Sequence, residues 1–264
     1  MNFLSVLNPW NAPLRYHETV SSTMDESRRL AARGEPHGTV VVADYQEAGR
    51  GRAGRSWNAD RGKNLFFTVL FRYSDIPSFP GALTLRTGLA VSLAVEDFAP
   101  VLSGAVLVKW PNDIMIDSRK IAGILTETDG KTVYTGIGVN VAQTVFPGDI
   151  AARAGSILRA VRFRDAGAPV PVRAFLLERI LARLHAEFAS AGPWRERLEE
   201  RLYMKGRPIR FAAGGADSDR IVEGVLAGIG AGGELLIIPE GKTAPEAYVT
   251  GELRVYQDPP APGT

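Results

Sequence analysis

Four β-like segments crowd into the stretch from Ala105 to Val141, separated only by turns. They read as Ala105–Lys109, Ile114–Ile116, Lys120–Glu127 and Thr132–Val141. The breaks fall at Pro111–Asn112, Asp117–Ser118 and Asp129–Gly130, the last pair being a strong tight-turn signal. A parallel pair needs a crossover of about a dozen residues or more, so these neighbours must pair antiparallel. Two further apolar, β-rich runs, Thr39–Asp44 and Asn64–Phe71, read as buried strands. A helix is expected over about Ser22–Arg33, with Ser and Thr for capping, Asp25 and Glu26 in its first turn and Gly34 as its stop. Leu83–Phe98 reads as a long buried helix. Pro171–Ala189 reads as an amphipathic one whose stripe is Val172, Leu176, Ile180, Leu184 and Phe188. Ten of the 28 glycines fall between Gly206 and Gly251, among short β-like runs at Ile209–Phe211, Ile221–Leu226, Glu234–Ile238 and Ala247–Tyr256. The expected architecture is therefore an α+β domain over residues 1–204 and a small β-barrel domain over 205–264, with a frayed DPPAPGT tail.

With no cysteine, the chain has no disulfide framework, zinc finger, iron–sulfur cluster or cysteine nucleophile. Its 31 basic and 29 acidic residues create no global field that demands nucleic acid or membrane as partner. No segment has the roughly 18 consecutive apolar residues of a membrane span. The first residues do not look like a signal peptide, so a cytoplasmic location is expected.

The most informative stretch is Gly49-Arg50-Gly51-Arg52-Ala53-Gly54-Arg55-Ser56-Trp57. It satisfies G-x-G-x-x-G, but a dinucleotide site needs a helix directly after the loop, and here a polar segment and a strand follow. Three guanidiniums lie within six residues, with no carboxylate between Glu47 and Asp60. Arginine supplies planar, bidentate donors for phosphate, and glycine lets the backbone fold closely around a ligand. Such a loop is expected to be mobile until an anion orders it, because its side chains have little to pack against. A solvated basic loop or a nucleic-acid arm has the same composition. Gly130-Lys131-Thr132 and Gly241-Lys242-Thr243 lack the upstream glycine of a phosphate-binding loop and read as hairpin turns.

A second constellation, Lys109-Trp110-Pro111-Asn112-Asp113, ends an apolar strand with a lysine and a rigid turn. Lys109 is either a fixed charge aimed at an anion or a lysine snorkelling at the sheet rim. Trp110 reads as core. Lys120-Ile121-Ala122-Gly123-Ile124-Leu125 and Gly136-Ile137-Gly138-Val139-Asn140 could line the same cleft, and a buried Asn140 needs a partner.

Taken together and in this order, Ser22-Thr23, Tyr45-Gln46-Glu47-Ala48, the arginine loop, KWPND, KIAGIL with Glu127, GIGVN and Gly251-Glu252-Leu253-Arg254 resemble the biotin–protein ligases over roughly residues 16–256. The resemblance implies a mixed, largely antiparallel sheet with flanking helices, related to class II aminoacyl-tRNA synthetases, and an SH3-like C-terminal barrel. It implies that biotin and ATP form biotinyl-5′-AMP with Mg2+ on the phosphates. A lysine of a biotin carboxyl carrier domain then takes the biotin. By the same resemblance Lys109, Arg50 and Arg52 are catalytic, and Ser22, Thr23, Gln46, Gly49, Gly123 and Gly136 join them around biotin. Arg52, Arg55, Trp57, Lys109, Asn112 and Asn140 fall to ATP or the adenylate, and the metal ligands are not legible. Ser22 and Thr23 could equally serve as plain helix caps. Met24 stands where the family commonly has Asn, and Ala53 where it often has another arginine. Only about 20 residues precede the Ser-Thr pair, too few for a stable extra domain, which takes roughly 40 or more; a ligase without a DNA-binding repressor domain is expected. Family members often dimerise, so a homodimer is compatible with the resemblance. The alternatives are a lipoate or octanoate ligase and a non-enzymatic nucleic-acid binder.

Overall fold

The structure, a computed structural model, describes residues 2–57, 59–75, 78–148, 150–170, 172–214 and 220–254. Its first unit is a seven-stranded sheet built from β1 (Leu14–His17), β2 (Thr39–Ala43), β3 (Leu65–Arg72), β4 (Leu107–Lys109), β5 (Asp113–Ile116), β6 (Arg119–Asp129) and β7 (Thr132–Val139). The order is β1-β2-β3-β7-β6-β5-β4. Strands β4 to β7 pair antiparallel through tight turns, as their spacing demands. The one parallel pair is β1 with β2, joined across α1 (Thr23–Ala32), which makes the sheet mixed. Four short, partly exposed residues carry β1 (Leu14-Arg15-Tyr16-His17), too weak a pattern to read as a strand without its partner.

Strand alternation sorts the two faces of the sheet. Leu65, Phe67, Val69 and Phe71 of β3 point into the main core, with α2 (Leu83–Phe98) and α4 (Arg173–Ala189). On the opposite face Leu70 joins Met24 and Tyr134 in a small cluster under α1. In α4, Leu176, Ile180 and Leu184 are fully buried. Val172 corrects the expected stripe: it is the N-cap residue and 43% exposed, because the helix begins one residue later. Pro171 lies outside the described residues. Two short helices escape the sequence pattern, α3 (Ile157–Arg164) and α5 (Trp194–Glu199).

The second unit is a five-stranded antiparallel sheet in the order β11-β10-β9-β8-β12. Its strands are β8 (Pro208–Ala213), β9 (Ile221–Ile229), β10 (Leu235–Pro239), β11 (Glu246–Tyr248) and β12 (Gly251–Arg254). The single expected strand Ala247–Tyr256 is thus two, because the chain leaves β10 at Tyr248 and joins β8 at Gly251. Residues 255–256 and the DPPAPGT tail lie outside the described residues. Both glycine-lysine-threonine sequences fall on hairpin turns, with Gly130 at φ 58 and Gly241 at φ 77. Trp110 joins the two sheets: it is buried, its Nε1 donates to the Gly233 carbonyl at 3.0 Å, and its ring meets Phe211 edge-on at 5.8 Å.

Because Leu184 is wholly buried in the layer between α2 and α4, truncation leaves a cavity that helices pinned to a sheet close poorly. Leu184→Ala is expected to cost about 2–5 kcal/mol, read as a lowered urea midpoint with an unchanged slope.

Candidate active site

One register row crosses five strands of the large sheet: Lys109 pairs with Asp113, Asp113 with Gly123, Gly123 with Gly138, and Gly138 with Phe66. Directly paired residues of antiparallel strands share a face, so the row is a strip on the α1 side of the sheet. The adjacent row is Leu125, Gly136 and Thr68. The glycines leave this strip without side chains of its own, and other elements lie directly on it. A Cβ on Gly136 would stand 2.9 Å from Met24 Sδ. One on Gly123 would stand 2.7 Å from Cζ3 of Trp57, and one on Gly138 3.2 Å from its Cε2. The indole of Trp57 therefore rests on a floor made of two cross-paired glycines, with its Nε1 buried and unpartnered.

At one end of the strip the groups are neutral. The Thr23 backbone N–H and hydroxyl donate to Gln46 Oε1 at 2.8 and 3.0 Å, and Thr68 donates to the Thr23 hydroxyl at 2.9 Å. Ser22 is the N-cap of α1, its Oγ accepting from the Met24 N–H at 3.2 Å. All but Gln46 are buried, in a β-branched and hydroxyl-rich corner where β2, β3 and α1 meet. Gly49 is also closely packed, since a Cβ there would lie 3.0 Å from the Trp57 carbonyl and 3.1 Å from Gln46 Nε2.

At the other end the charges gather. Lys109 closes β4, and burial pushes its ammonium below the ordinary lysine range, against the opposing pull of Asp113 and Glu252. A second lysine, outside the expected site residues, stands beside it. Lys120 Nζ pairs with Asp113 Oδ1 at 2.6 Å and lies 5.2 Å from the centre of the Trp57 ring. The signal was available: KIAGIL puts a cation at the start of a strand that must pair with the KWPND strand. Asn112 ties this corner together. Its Nδ2 donates to the Ile124 carbonyl at 2.8 Å, and its Oδ1 accepts from Arg52 at 3.2 Å. The Trp110–Pro111 bond inside this turn is cis.

The 49–57 loop leaves β2 and runs to antiparallel β3, with no helix following it as the dinucleotide fingerprint requires. Its neck is closed by the Trp57 N–H to the Gly49 carbonyl at 2.9 Å and the Gly51 N–H to the Arg55 carbonyl at 2.7 Å. Contrary to the expectation that its arginines have little to pack against, each has an anchor. Arg50 binds Asp25 of α1 through both carboxylate oxygens, at 3.0 and 2.5 Å. Arg52 reaches Asn112, and Arg55 binds Glu252 of β12 at 3.1 and 2.6 Å. That last pair holds the Glu252 carboxyl below its usual range, with Lys109 and Arg52 adding to the effect. The sequence places the nearest carboxylate outside the loop, and only folding brings in Asp25 from one side and Glu252 from the other.

Asn140 is buried, as its place in an apolar run requires, and its Nδ2 donates to the Gly155 carbonyl at 3.0 Å. That bond pins the segment after β7. Between this segment and the loop, a cavity of about 490 Å³ is lined by Gln46, Gly49, Trp57, Gln143 and Phe146, among others. Among the described residues no cluster of three acidic or imidazole side chains is placed to hold a metal ion.

The electrostatics of Lys109 have a consequence for stability. Unfolded, the amine holds its proton to about pH 10.4, whereas in the native state it gives the proton up earlier. Below that native value the buried charge opposes folding. Lys109→Met is therefore expected to raise the urea midpoint at pH 7. The gain should shrink as pH climbs through the lowered pKa toward the ordinary value, where the wild-type amine is neutral in both states. Equal midpoints for the two proteins at pH 7 would contradict this account.

The biotin/lipoate A/B protein ligase family model matches residues 16–143. The bifunctional ligase/repressor BirA of Bacillus subtilis is 40% identical over 136 residues, 49% of this chain and 41% of that protein. The chain thus spans about two fifths of the length of that relative. The biotin–[acetyl-CoA-carboxylase] ligase of Paracoccus denitrificans is 32% identical over 216 residues, 77% of this chain and 87% of its own length. Among solved structures, the biotin protein ligase of Aquifex aeolicus in complex with biotin and ATP superposes with a TM-score of 0.76 at 26% identity, covering 92% of this chain and 97% of that one. Identity at this level, sustained over most of both chains in the Paracoccus match and joined to the shared fold, shows that the chain belongs to the biotin protein ligase family.

Proposed function

We propose that this chain activates biotin with ATP and passes the biotinyl group to a lysine of a carboxyl carrier domain. The observation that carries this is the polarity of the strip. Neutral hydrogen-bonding groups stand at Thr23, Thr68 and Gln46, and cations at Lys109, Lys120 and Arg52, with a glycine floor between. A neutral ureido ring needs donors and acceptors without charge, and a carboxylate that must meet a triphosphate needs cations. For the aliphatic chain joining the two ends of biotin to lie on this floor, Trp57 and Met24, which cover Gly123, Gly138 and Gly136, must move aside.

In the first step a carboxylate oxygen of biotin attacks the α-phosphorus, forming the acyl-adenylate as pyrophosphate departs. The two anions repel, and Lys109 and Lys120 offset that repulsion where they meet. Arg50, Arg52 and Arg55 are read as partners of the carboxylate, the α-phosphate and the departing pyrophosphate. Asn112 serves by holding Arg52 and the KWPND turn. Trp57 lines the cavity that suits adenine, and Asn140 begins the segment that runs to it. Magnesium, when bound, would neutralise phosphate charge; such an ion usually takes phosphates, waters and one or two carboxylates, and Asp113 and Glu252 are acidic groups placed among these cations. In the second step the carrier lysine's amine attacks the acyl carbon, releasing AMP and a proton. Residues 1–204 are read as the catalytic domain and residues 205–264 as an SH3-like module whose Glu252 reaches the arginine loop.

A lipoate or octanoate ligase would share the cationic end but bring an alkyl chain, with no hydrogen-bonding group, to Thr23 and Gln46. A nucleic-acid arm would present its arginines outward, whereas these three are turned onto Asp25, Asn112 and Glu252.

Incubation with biotin, ATP, magnesium and a purified carrier domain is expected to add one biotinyl mass to the carrier. In thermal shift, biotin should stabilise the protein and lipoate should not; stabilisation by lipoate alone would reassign the acid. Lys109→Ala is expected to slow adenylate formation by about 10²–10³ in pyrophosphate exchange, with the fold retained.

A further inference from the structure

The first turn of α1 does more than carry Ser22 and Thr23. One residue beyond Met24, Asp25 takes Arg50 in a two-oxygen grip. Asp25 Oδ1 also stands 3.5 Å from Arg28 Nη1. Arg28 in turn pairs with Glu127 of β6, and its guanidinium lies 5.2 Å from the centre of the Tyr134 ring on β7. The result is an alternating chain of charges, Arg50–Asp25–Arg28–Glu127, that runs from the loop through α1 to the sheet. Arg50 sits at the neck of the loop, where it bridges to Ser56 beside the Gly49–Trp57 hydrogen bond. The hold on Arg50 therefore anchors the near end of the segment from Gly51 to Arg55, whose other anchors are Asn112 and Glu252.

We propose that Asp25 is a positioning residue. It clasps Arg50 and so holds the arginine loop down over the strip, coupling closure of the loop to the same helical turn that offers Ser22 and Thr23 to the ring. The coupling to ring recognition rests on the biotin-adenylating function proposed above; the grip on the loop does not. An acidic residue in a helix's first turn also favours the helix by itself. That role would act on the stability of α1 and leave the loop alone, which separates the two.

The pairs are partly exposed, so their contribution to overall stability is small, and they are sensitive to salt. Their effect is therefore expected in local opening. In the ligand-free full chain, trypsin can cut the loop at Arg50, Arg52 and Arg55. Asp25→Asn is expected to speed cleavage at these sites by about tenfold, with global unfolding in urea nearly unchanged. Asp25→Glu should restore most of the protection. Raising salt should speed cleavage of the wild type toward the rate of the Asn variant, which itself should respond little. In the presence of biotin and ATP, Asp25→Asn should release biotinyl-AMP about tenfold faster than wild type in gel filtration.

Cleavage and adenylate release at wild-type rates in Asp25→Asn would overturn the proposal, and so would faster cleavage that tracks a general loss of stability. Since cleavage is read without substrate, it reports on Asp25 even if the wild type labels no carrier. In that case the proposed function fails and the clasp stands.

Discussion

Close approach to a sheet surface depends on what the strands do not carry. Gly123 and Gly138 face each other across β6 and β7, and Gly136 follows on the same face. A methyl group at any of them would meet Trp57 or Met24 at contact distances that atoms do not tolerate, or nearly so. These three positions let an indole and a thioether lie on backbone. The two ends of the strip are joined by a middle whose strands carry no side chains of their own at these positions.

Around that floor the chain divides its labour by physical type. Neutral, short, β-branched or hydroxyl side chains gather where α1, β2 and β3 meet, and there they satisfy one another through Gln46. Cations gather where β4, β5 and β6 end. Their mutual repulsion is moderated by Asp113 and Glu252 without being cancelled, and burial leaves Lys109 easier to deprotonate than a free lysine. In the proposed function this site brings two anions together, and it holds positive charge in reserve at some expense to its own stability.

The C-terminal sheet belongs to this arrangement. Trp110, a residue of the KWPND turn, is hydrogen-bonded to Gly233 and packed on Phe211, while Glu252 holds Arg55. The turn that carries Lys109 and the loop that carries the arginines are each braced against the second sheet. Movement of that sheet would thus reach both.

Local pattern was enough for much of this molecule. Turn chemistry at Asp129–Gly130 and the short spacings from Ala105 onward determined an antiparallel core, because no crossover fits between those strands. The apolar period of Leu176, Ile180 and Leu184 determined a buried helix face. The order of Ser22-Thr23, the arginine loop, KWPND and KIAGIL marked out both ends of the site. Other features depend on residues far apart in the chain. The strand Leu14–His17 exists only because β2 pairs with it, and the four-residue pattern alone is too polar to declare itself. Lys120 became a site residue when the pairing of β5 with β6 brought its ammonium to the Asp113 carboxylate. Asp25, Asn112 and Glu252 became partners of the three arginines only when a helix turn, a strand turn and a second sheet were brought to one loop. Sequence spacing records which groups a segment offers, and tertiary contact decides which opposite charge each of them meets.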